Sequence, residues 1–398
     1  MKIDNYKDYA SPQEIEYIKM LGKKLGGRSS NVLSTASVGG GLAEILNNVL
    51  PFLEDFDFNL RRINVAFDKE FLSVARKINE ALSDPAFDIT QADLDKFFSY
   101  NTMVRDAVKE PCDLLFVYDH PPISAVEKKN YSKAIWRCYL DVSHPDPLVW
   151  DAVKYYIEQY DAAAFSFPSF SQDLSIPKYS IMPSIDPLAD KNREIEESYI
   201  DGVFAKYGIP RTKPVILQVG RFDALKDPIG VLEVFKEIKK EYDCTLVLAG
   251  GKAADDPGAV TDFQVVSMAA SQVPGAHVIL MDYNELEVNA LQTGADIIIQ
   301  KGLRETFGLT LTEAMWKKKA VVAAETGALP LQIMEEHSGL TSVSNASCVA
   351  QVKRLLKDPQ LRYTLGVNAH KHVKENFLIT RHVRDLFIMF AQVLGISI

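Results

Sequence analysis

The stretch from Asp296 to Ala323, DIIIQKGLRETFGLTLTEAMWKKKAVVA, reads as strand, loop, helix, strand. The apolar run over residues 296–300 fits a buried strand and the run over 320–323 fits a parallel neighbour, with a helical segment between them. The same alternation extends upstream, with strands expected over 215–219, 245–249 and 277–280. The first half repeats it, with strands expected over 30–36, 64–67, 113–118, 134–140 and 162–167. One intervening helix is announced by Leu42, Ile45, Leu46, Val49, Leu50 and Leu53, which fall on a single apolar stripe. Strand–helix alternation of this kind specifies a parallel, doubly wound sheet. The pattern breaks around Met182-Pro183-Ser184-Ile185-Asp186-Pro187 and a charged stretch follows over 190–197, so two α/β domains are expected, 1–186 and 187–378. A last helix is expected over 380–394, with Val383, Leu386, Phe387, Phe390 and Leu394 on one side. Two such halves predict a ligand in the cleft at the carboxyl ends of their strands.

Size and composition agree with this reading. A chain of 398 residues exceeds one ordinary hydrophobic core, and 47% hydrophobic with 24% charged residues is a globular composition. A net charge of −9 argues against a nucleic-acid partner, because phosphate neutralisation needs clustered Lys and Arg. No apolar run approaches a bilayer span, and the start, MKIDNYKD, lacks the apolar core of a secretory signal. Cys112, Cys138, Cys244 and Cys348 are scattered without a C-x-x-C pair, which suits reduced thiols. A cytoplasmic protein without a membrane partner is the expectation.

Three motifs carry chemistry. In Arg304-Glu305-Thr306-Phe307-Gly308-Leu309-Thr310-Leu311-Thr312-Glu313, two carboxylates stand eight residues apart around an expected helix start. If Thr306, Phe307, Gly308 and Leu309 form the first turn, their unpaired amides and the helix dipole suit a diphosphate. Gly308 would let a phosphate approach the backbone. Glu305, just ahead of the helix, and Glu313, about two turns along it, could accept hydrogen bonds from sugar hydroxyls; the plain alternative is an amphipathic helix with two surface acids. The second motif, Gly220-Arg221-Phe222-Asp223-Ala224-Leu225-Lys226, places Arg221 and Lys226 past a strand's carboxyl end, where a planar fork and a compact charge could hold a leaving diphosphate. Two basic residues in a polar turn are also common. The third, Gly39-Gly40-Gly41 before the first apolar stripe, fits either a close approach to a ligand or a simple strand-to-helix turn. Asp119-His120 and Asp141 end other strands. No H-x-x-x-H, H-E-x-x-H or convincing D-x-D suggests a metal.

Taken in order, these pieces resemble the retaining nucleotide-sugar glycosyltransferases of family four, and within it the trehalose synthase and trehalose phosphorylase subgroup. The resemblance runs from about Gly26 to Phe377 and includes GGGLAEIL from Gly39, Trp136-Arg137-Cys138 with Asp141, IMPSIDPLADKN from Ile181, Arg221-Phe222-Asp223, Asp255-Asp256-Pro257, Glu287-Val288-Asn289-Ala290, and Arg304 to Trp316. It implies the GT-B architecture, two Rossmann-like domains with an interdomain cleft, and a terminal helix over 379–398 crossing back to the first domain. The first domain would be the acceptor side and the second the donor side. By motif position Arg221 and Lys226 would hold the donor phosphates, Glu305 the donor sugar and Glu313 the ribose. The loop Gly39-Gly40-Gly41 would face phosphates and acceptor, and Asp119, Tyr139 and Asp141 would orient the acceptor. The implied ligands are a nucleoside diphosphate hexose, with glucose expected, and a small sugar acceptor, without cofactor or metal. Dimers are common in the subgroup, so a homodimer is expected.

The chain also departs from the subgroup. Tyr139 replaces the histidine of W-R-C-H-I-D, and Tyr118-Asp119-His120-Pro121-Pro122 stands for H-D-P-Q-P. Thr326-Gly327-Ala328-Leu329 replaces V-G-G-I, and Leu225 replaces a tryptophan. Donor machinery is kept while the acceptor side differs, which leaves open a phosphorylase using inorganic phosphate and a non-catalytic nucleotide-sugar-binding homologue.

Overall fold

The computed structural model describes residues 2–35, 41–251, 259–281 and 284–398. It comprises two compact units, Met1–Pro183 with Ile379–Ile398, and Ser184–Leu378. Each unit contains a six-stranded sheet whose strand pairs are all parallel.

In the first unit β1 (Ser29–Ser34), β2 (Asn59–Asn64), β3 (Cys112–Tyr118), β4 (Tyr131–Cys138), β5 (Ala162–Phe165) and β6 (Lys178–Ser180) lie in the order β2-β1-β3-β4-β5-β6. The direction of winding changes between β1 and β3. Leu114, Leu115, Phe116 and Val117 are all fully buried, as expected of a central parallel strand covered on both faces. The edge strands were harder to read. A strand expected over 64–67 lies instead at Asn59–Asn64, whose Asn-Leu-Arg-Arg-Ile-Asn sequence is largely polar because it borders solvent. The three-residue β6 carries no apolar run at all.

The helix Gly41–Asp55 buries Ile45, Leu46, Val49, Leu50 and Leu53, the stripe read from sequence. Gly41 is its first residue, whereas Gly39 and Gly40 lie outside the described residues, as do Asp255-Asp256-Pro257. The last helix, Ile379–Val393, packs on this unit: Phe387 meets Phe56 edge-on with centroids 5.4 Å apart, and Phe390 stacks on Phe58 at 5.9 Å and meets Phe116 at 5.1 Å. Arg384 pairs with Glu14 at 3.1 Å. Arg381 holds the outgoing chain by donating to the carbonyls of Met182 (2.8 Å) and Pro183 (3.0 Å).

In the second unit β7 (Val215–Val219), β8 (Thr245–Gly251), β9 (Ala276–Met281), β10 (Ile297–Gln300), β11 (Ala320–Ala324) and β12 (Leu340–Ser342) lie in the order β12-β11-β10-β7-β8-β9. The winding reverses between β7 and β10, which pair through Ile216–Ile297 and Leu217–Ile298. Loops leaving such strands diverge to opposite sides, so a crevice opens at their carboxyl ends. The short edge strand β12 was not visible in the sequence.

Because Phe390 is fully buried against Phe58 and Phe116, Phe390→Ala should cost about 3–5 kcal/mol. A denaturant titration reads this as a lowered midpoint; an unchanged midpoint would show that the last helix is not part of this core.

Candidate functional site

The loops leaving β7 and β10 come together at the switch point of the second unit. Lys226 closes the short helical turn Ala224–Lys226, which Asp223 caps by accepting the Lys226 amide at 3.0 Å. Its ammonium pairs with Glu305, 79 residues away, and both side chains are largely buried. A second ion pair of opposite polarity joins Asp227 to Lys301 across the same loops. Asp227 also caps the helix Pro228–Lys239 by accepting the Gly230 amide at 3.0 Å. The same two loops are also joined by backbone, the Leu303 amide donating to the Leu225 carbonyl at 2.6 Å. Arg221 lies more open, with Nε 3.2 Å from Asp223.

The helix after β10 starts later than expected. It spans Leu309–Trp316, and Gly308 at its head has φ 77°. A residue in that left-handed conformation cannot continue a right-handed helix, so Thr306 and Phe307 belong to the loop rather than the first turn. The amides of Leu311 and Thr312 bond to the Gly308 carbonyl, which leaves those of Leu309 and Thr310 pointing out of the helix start. Glu313 is therefore about one turn along the helix, not two. It is fully buried, with Oε2 accepting from Gln292 at 3.1 Å and Oε1 3.3 Å from Lys191. The chain around Lys191 is fixed in turn by Asn289, which donates to the carbonyls of Asp190 and Arg193 at 2.9 and 2.8 Å.

Sequence reasoning missed Lys301 and a set of buried glutamines that brace this site. Gln218 donates to the Lys226 carbonyl at 2.7 Å, and Gln300 donates to the Val219 carbonyl (3.0 Å) and Thr310 Oγ1 (2.9 Å). Gln332 donates to the Phe307 carbonyl and accepts from Thr312 Oγ1 at 2.6 Å. The available signal was an amide side chain within or ending an otherwise apolar strand, as in Val215-Ile216-Leu217-Gln218 and Ile297-Ile298-Ile299-Gln300. A buried polar group there needs partners, and Gln218 finds one in the loop after β7 while Gln300 finds the last carbonyl of β7 and the Thr310 hydroxyl.

In the first unit Asp119 follows β3 at the switch point with φ 59°. Its Oδ1 accepts the Tyr139 amide at 2.9 Å, and its carbonyl accepts Trp136 Nε1 at 2.8 Å. The Tyr118 and Tyr139 rings stack with centroids 6.0 Å apart, and the buried Arg137 guanidinium lies 4.2 Å from the Tyr139 ring centre. Asp119 and Tyr139 are thus brought together, while Asp141 turns back on Ser143, accepting its amide at 3.0 Å and its hydroxyl at 2.6 Å. His120 is buried, with Nε2 3.1 Å from the Ala75 carbonyl, and burial lowers its pKa to about 4. Among the described residues no group of three or more His, Cys, Asp or Glu side chains is arranged to hold a metal ion, and no helix is long and apolar enough to cross a membrane. All four cysteines are buried free thiols.

Burial raises the Asp119 carboxyl to about 6, against the smaller opposing effects of the Tyr139 amide and Arg137. Below the ordinary carboxylate value both folded and unfolded chains hold the proton; between it and pH 6 only the folded chain does. This contribution to stability is therefore lost as pH rises through that window. Asp119→Asn keeps an acceptor for the Tyr139 amide and should gain up to about 3 kcal/mol over the native chain above pH 7, less for the part of the side chain open to water. The effect of His120 is common to both proteins and cancels. Thermal melts at pH 4 and pH 8 measure the difference, and the same difference at both would contradict it.

Comparisons with known proteins bear on the fold and the family. Residues 31–172 match the model of the trehalose synthase N-terminal domain, and residues 200–372 match that of the group 1 glycosyl transferases. The trehalose synthase of Pyrococcus horikoshii is 32% identical over 390 residues, covering 96% of this chain and 94% of its own. The trehalose synthase of Rubrobacter xylanophilus is 32% identical over 394 residues, with 96% and 94% covered. Among solved structures, a sucrose-phosphate synthase from Thermosynechococcus elongatus superposes with a TM-score of 0.74 at 15% identity, over 93% of this chain and 100% of that one. The fold is thus GT-B-like, two Rossmann-like α/β domains. With two sheets wound in this way and relatives aligned over nearly the whole length, the chain belongs to the trehalose synthase family of GT-B glycosyltransferases.

Proposed function

We propose that the protein transfers glucose from a nucleoside diphosphate glucose to a sugar acceptor, with retention at the anomeric carbon and without a metal ion. The observation that carries this reading is the meeting of Lys226 and Glu305 at the β7–β10 switch point, beside the open start of the helix Leu309–Trp316. A diphosphate placed against the Leu309 and Thr310 amides would attract Lys226 and so release the Glu305 carboxylate for the hydroxyls of the attached sugar. Arg221, the more open cation, would add a planar fork to the leaving phosphate. These groups stabilise charge that grows as the anomeric bond breaks, and such preorganised donors supply the larger part of many enzymes' rate acceleration. They also neutralise the diphosphate in the way a metal otherwise would.

Glu313 is the ribose partner in this reading and would exchange Gln292 or Lys191 for a ribose hydroxyl. No carboxylate is needed as a nucleophile: the departing phosphate oxygen can take the acceptor's proton on the face it leaves, which preserves configuration. The first unit would hold the acceptor through Asp119 and Tyr139, with Asp141 at the rim. Glucose is the acceptor favoured by the relatives' name, trehalose synthase.

Arg221→Ala should lower turnover by about 10²-fold, the usual cost of removing one preorganised donor. Glu305→Gln should weaken use of the donor sugar more than affinity for the nucleoside diphosphate alone. Incubation with nucleoside diphosphate glucoses and glucose, followed by product analysis, tests the reaction itself. The expected product is an α-linked disaccharide formed equally well with a chelator present. Product that forms from a glucoside only with inorganic phosphate, or tight donor binding with no product from any sugar acceptor, would refute the reading.

A further inference from the structure

The loop over 302–308 that carries Glu305 has no regular structure of its own, yet its carbonyls are systematically occupied. Thr326 Oγ1 donates to the Gly302 carbonyl at 2.6 Å, the Ala328 amide donates to the Glu305 carbonyl at 2.9 Å, and Gln332 Nε2 donates to the Phe307 carbonyl. All three donors come from one stretch, residues 326–332, immediately after β11. Gly327 has φ 53°, and a side chain there would overlap the Glu305 carbonyl, so the two backbones touch. Gln332 is fully buried, and the three contacts of its amide join three pieces of chain. Nε2 holds Phe307 and also lies 3.3 Å from the Ala328 carbonyl, while Oε1 receives the Thr312 hydroxyl from the helix that begins at Leu309.

We propose that residues 326–332 form a latch that positions Glu305 relative to the helix start, and that Gln332 is the positioning residue that anchors it. This rests on the reading of Glu305 as the clamp for the donor sugar. Gln332 touches no substrate. Its effect passes through the Phe307 carbonyl and Thr312, which fix the path of the chain on either side of Gly308. With the amide removed, the Phe307 carbonyl loses its donor, and the loop can turn it toward water. Glu305 moves with it, while the Leu309 and Thr310 amides, which belong to the helix, stay in place. Sugar recognition is then lost while diphosphate recognition is kept.

The test is a double-mutant cycle of Gln332→Met and Glu305→Gln. Transfer from nucleoside diphosphate glucose and calorimetric affinity for the nucleoside diphosphate are both measured. Gln332→Met should lower kcat/KM for the donor by about tenfold, the scale of one buried hydrogen bond lost, and leave nucleoside diphosphate affinity within about twofold. In the Glu305→Gln background the same change should cost less than about twofold, because the group it positions has already been impaired. An unchanged kcat/KM in Gln332→Met, or the same tenfold loss in both backgrounds, would overturn the latch. A Glu305→Gln variant with native kinetics would instead overturn the sugar-clamp reading. If Gln332→Met does not fold, Thr326→Val decides: it removes the outer hydrogen bond of the latch and should show the same pattern, and a loss of nucleoside diphosphate affinity equal to the loss in kcat/KM would contradict it.

Discussion

Lys226 and Glu305 meet because β7 and β10 are neighbours in a parallel sheet. Their loops leave the carboxyl ends of the two strands side by side, and a sheet wound in both directions has one such place. The loops that result are not free. Two ion pairs of opposite polarity, Lys226 with Glu305 and Asp227 with Lys301, cross between them, together with a backbone hydrogen bond from Leu303 to Leu225. Largely buried ion pairs contribute little net stability, since desolvation offsets most of their attraction. Their value here is geometric: they hold a cation and a carboxylate in register at the mouth of a helix whose first two amides have no partner among the described residues.

The surroundings of these charges are neutral amides. Gln218, Gln292 and Gln332 each satisfy a loop or helix carbonyl from a buried position, and Gln300 satisfies the last carbonyl of β7. A glutamine can donate and accept at once without adding charge. A cation in the same places would add charge beside the two ion pairs, and an apolar residue would leave carbonyls unpaired at a cost of roughly 1–3 kcal/mol each. The backbone around Glu305 is shaped by two glycines as well, Gly308 at φ 77° and Gly327 at φ 53°. The subgroup's second glycine is Ala328 here, and its amide donates to the Glu305 carbonyl.

The central strands of both units were legible because strands buried on both faces must be continuously apolar, as Ile297-Ile298-Ile299 and Leu114-Leu115-Phe116-Val117 are. The edges were not. β2 is rich in arginine and asparagine, and β6 and β12 are three residues long, so neither periodicity nor apolar content marks them. Glu305 and Glu313 could be singled out by their spacing around a helix start, and Arg221 and Lys226 by their place just past a strand's carboxyl end. The start itself was misplaced by three residues, since Gly308 is left-handed and a side chain there would meet Leu329, Glu305 and Gln332, neighbours that local periodicity does not report. Gln332 and Lys301 were invisible for a related reason: each acts on a partner far away in sequence, and nothing local to either residue announces that partner. In the first unit, the sequence pointed to Asp119, Tyr139 and Asp141 as a group, but only the first two are joined by a hydrogen bond.

The central claim is an exchange of partners at one lysine and one glutamate. The most direct measurement is a crystal structure with an intact nucleoside diphosphate glucose. The account predicts the diphosphate on Lys226 and the Leu309 and Thr310 amides, and sugar hydroxyls on the Glu305 carboxylate, which has left Lys226. A donor bound elsewhere, with Lys226 and Glu305 still paired to each other, would contradict it.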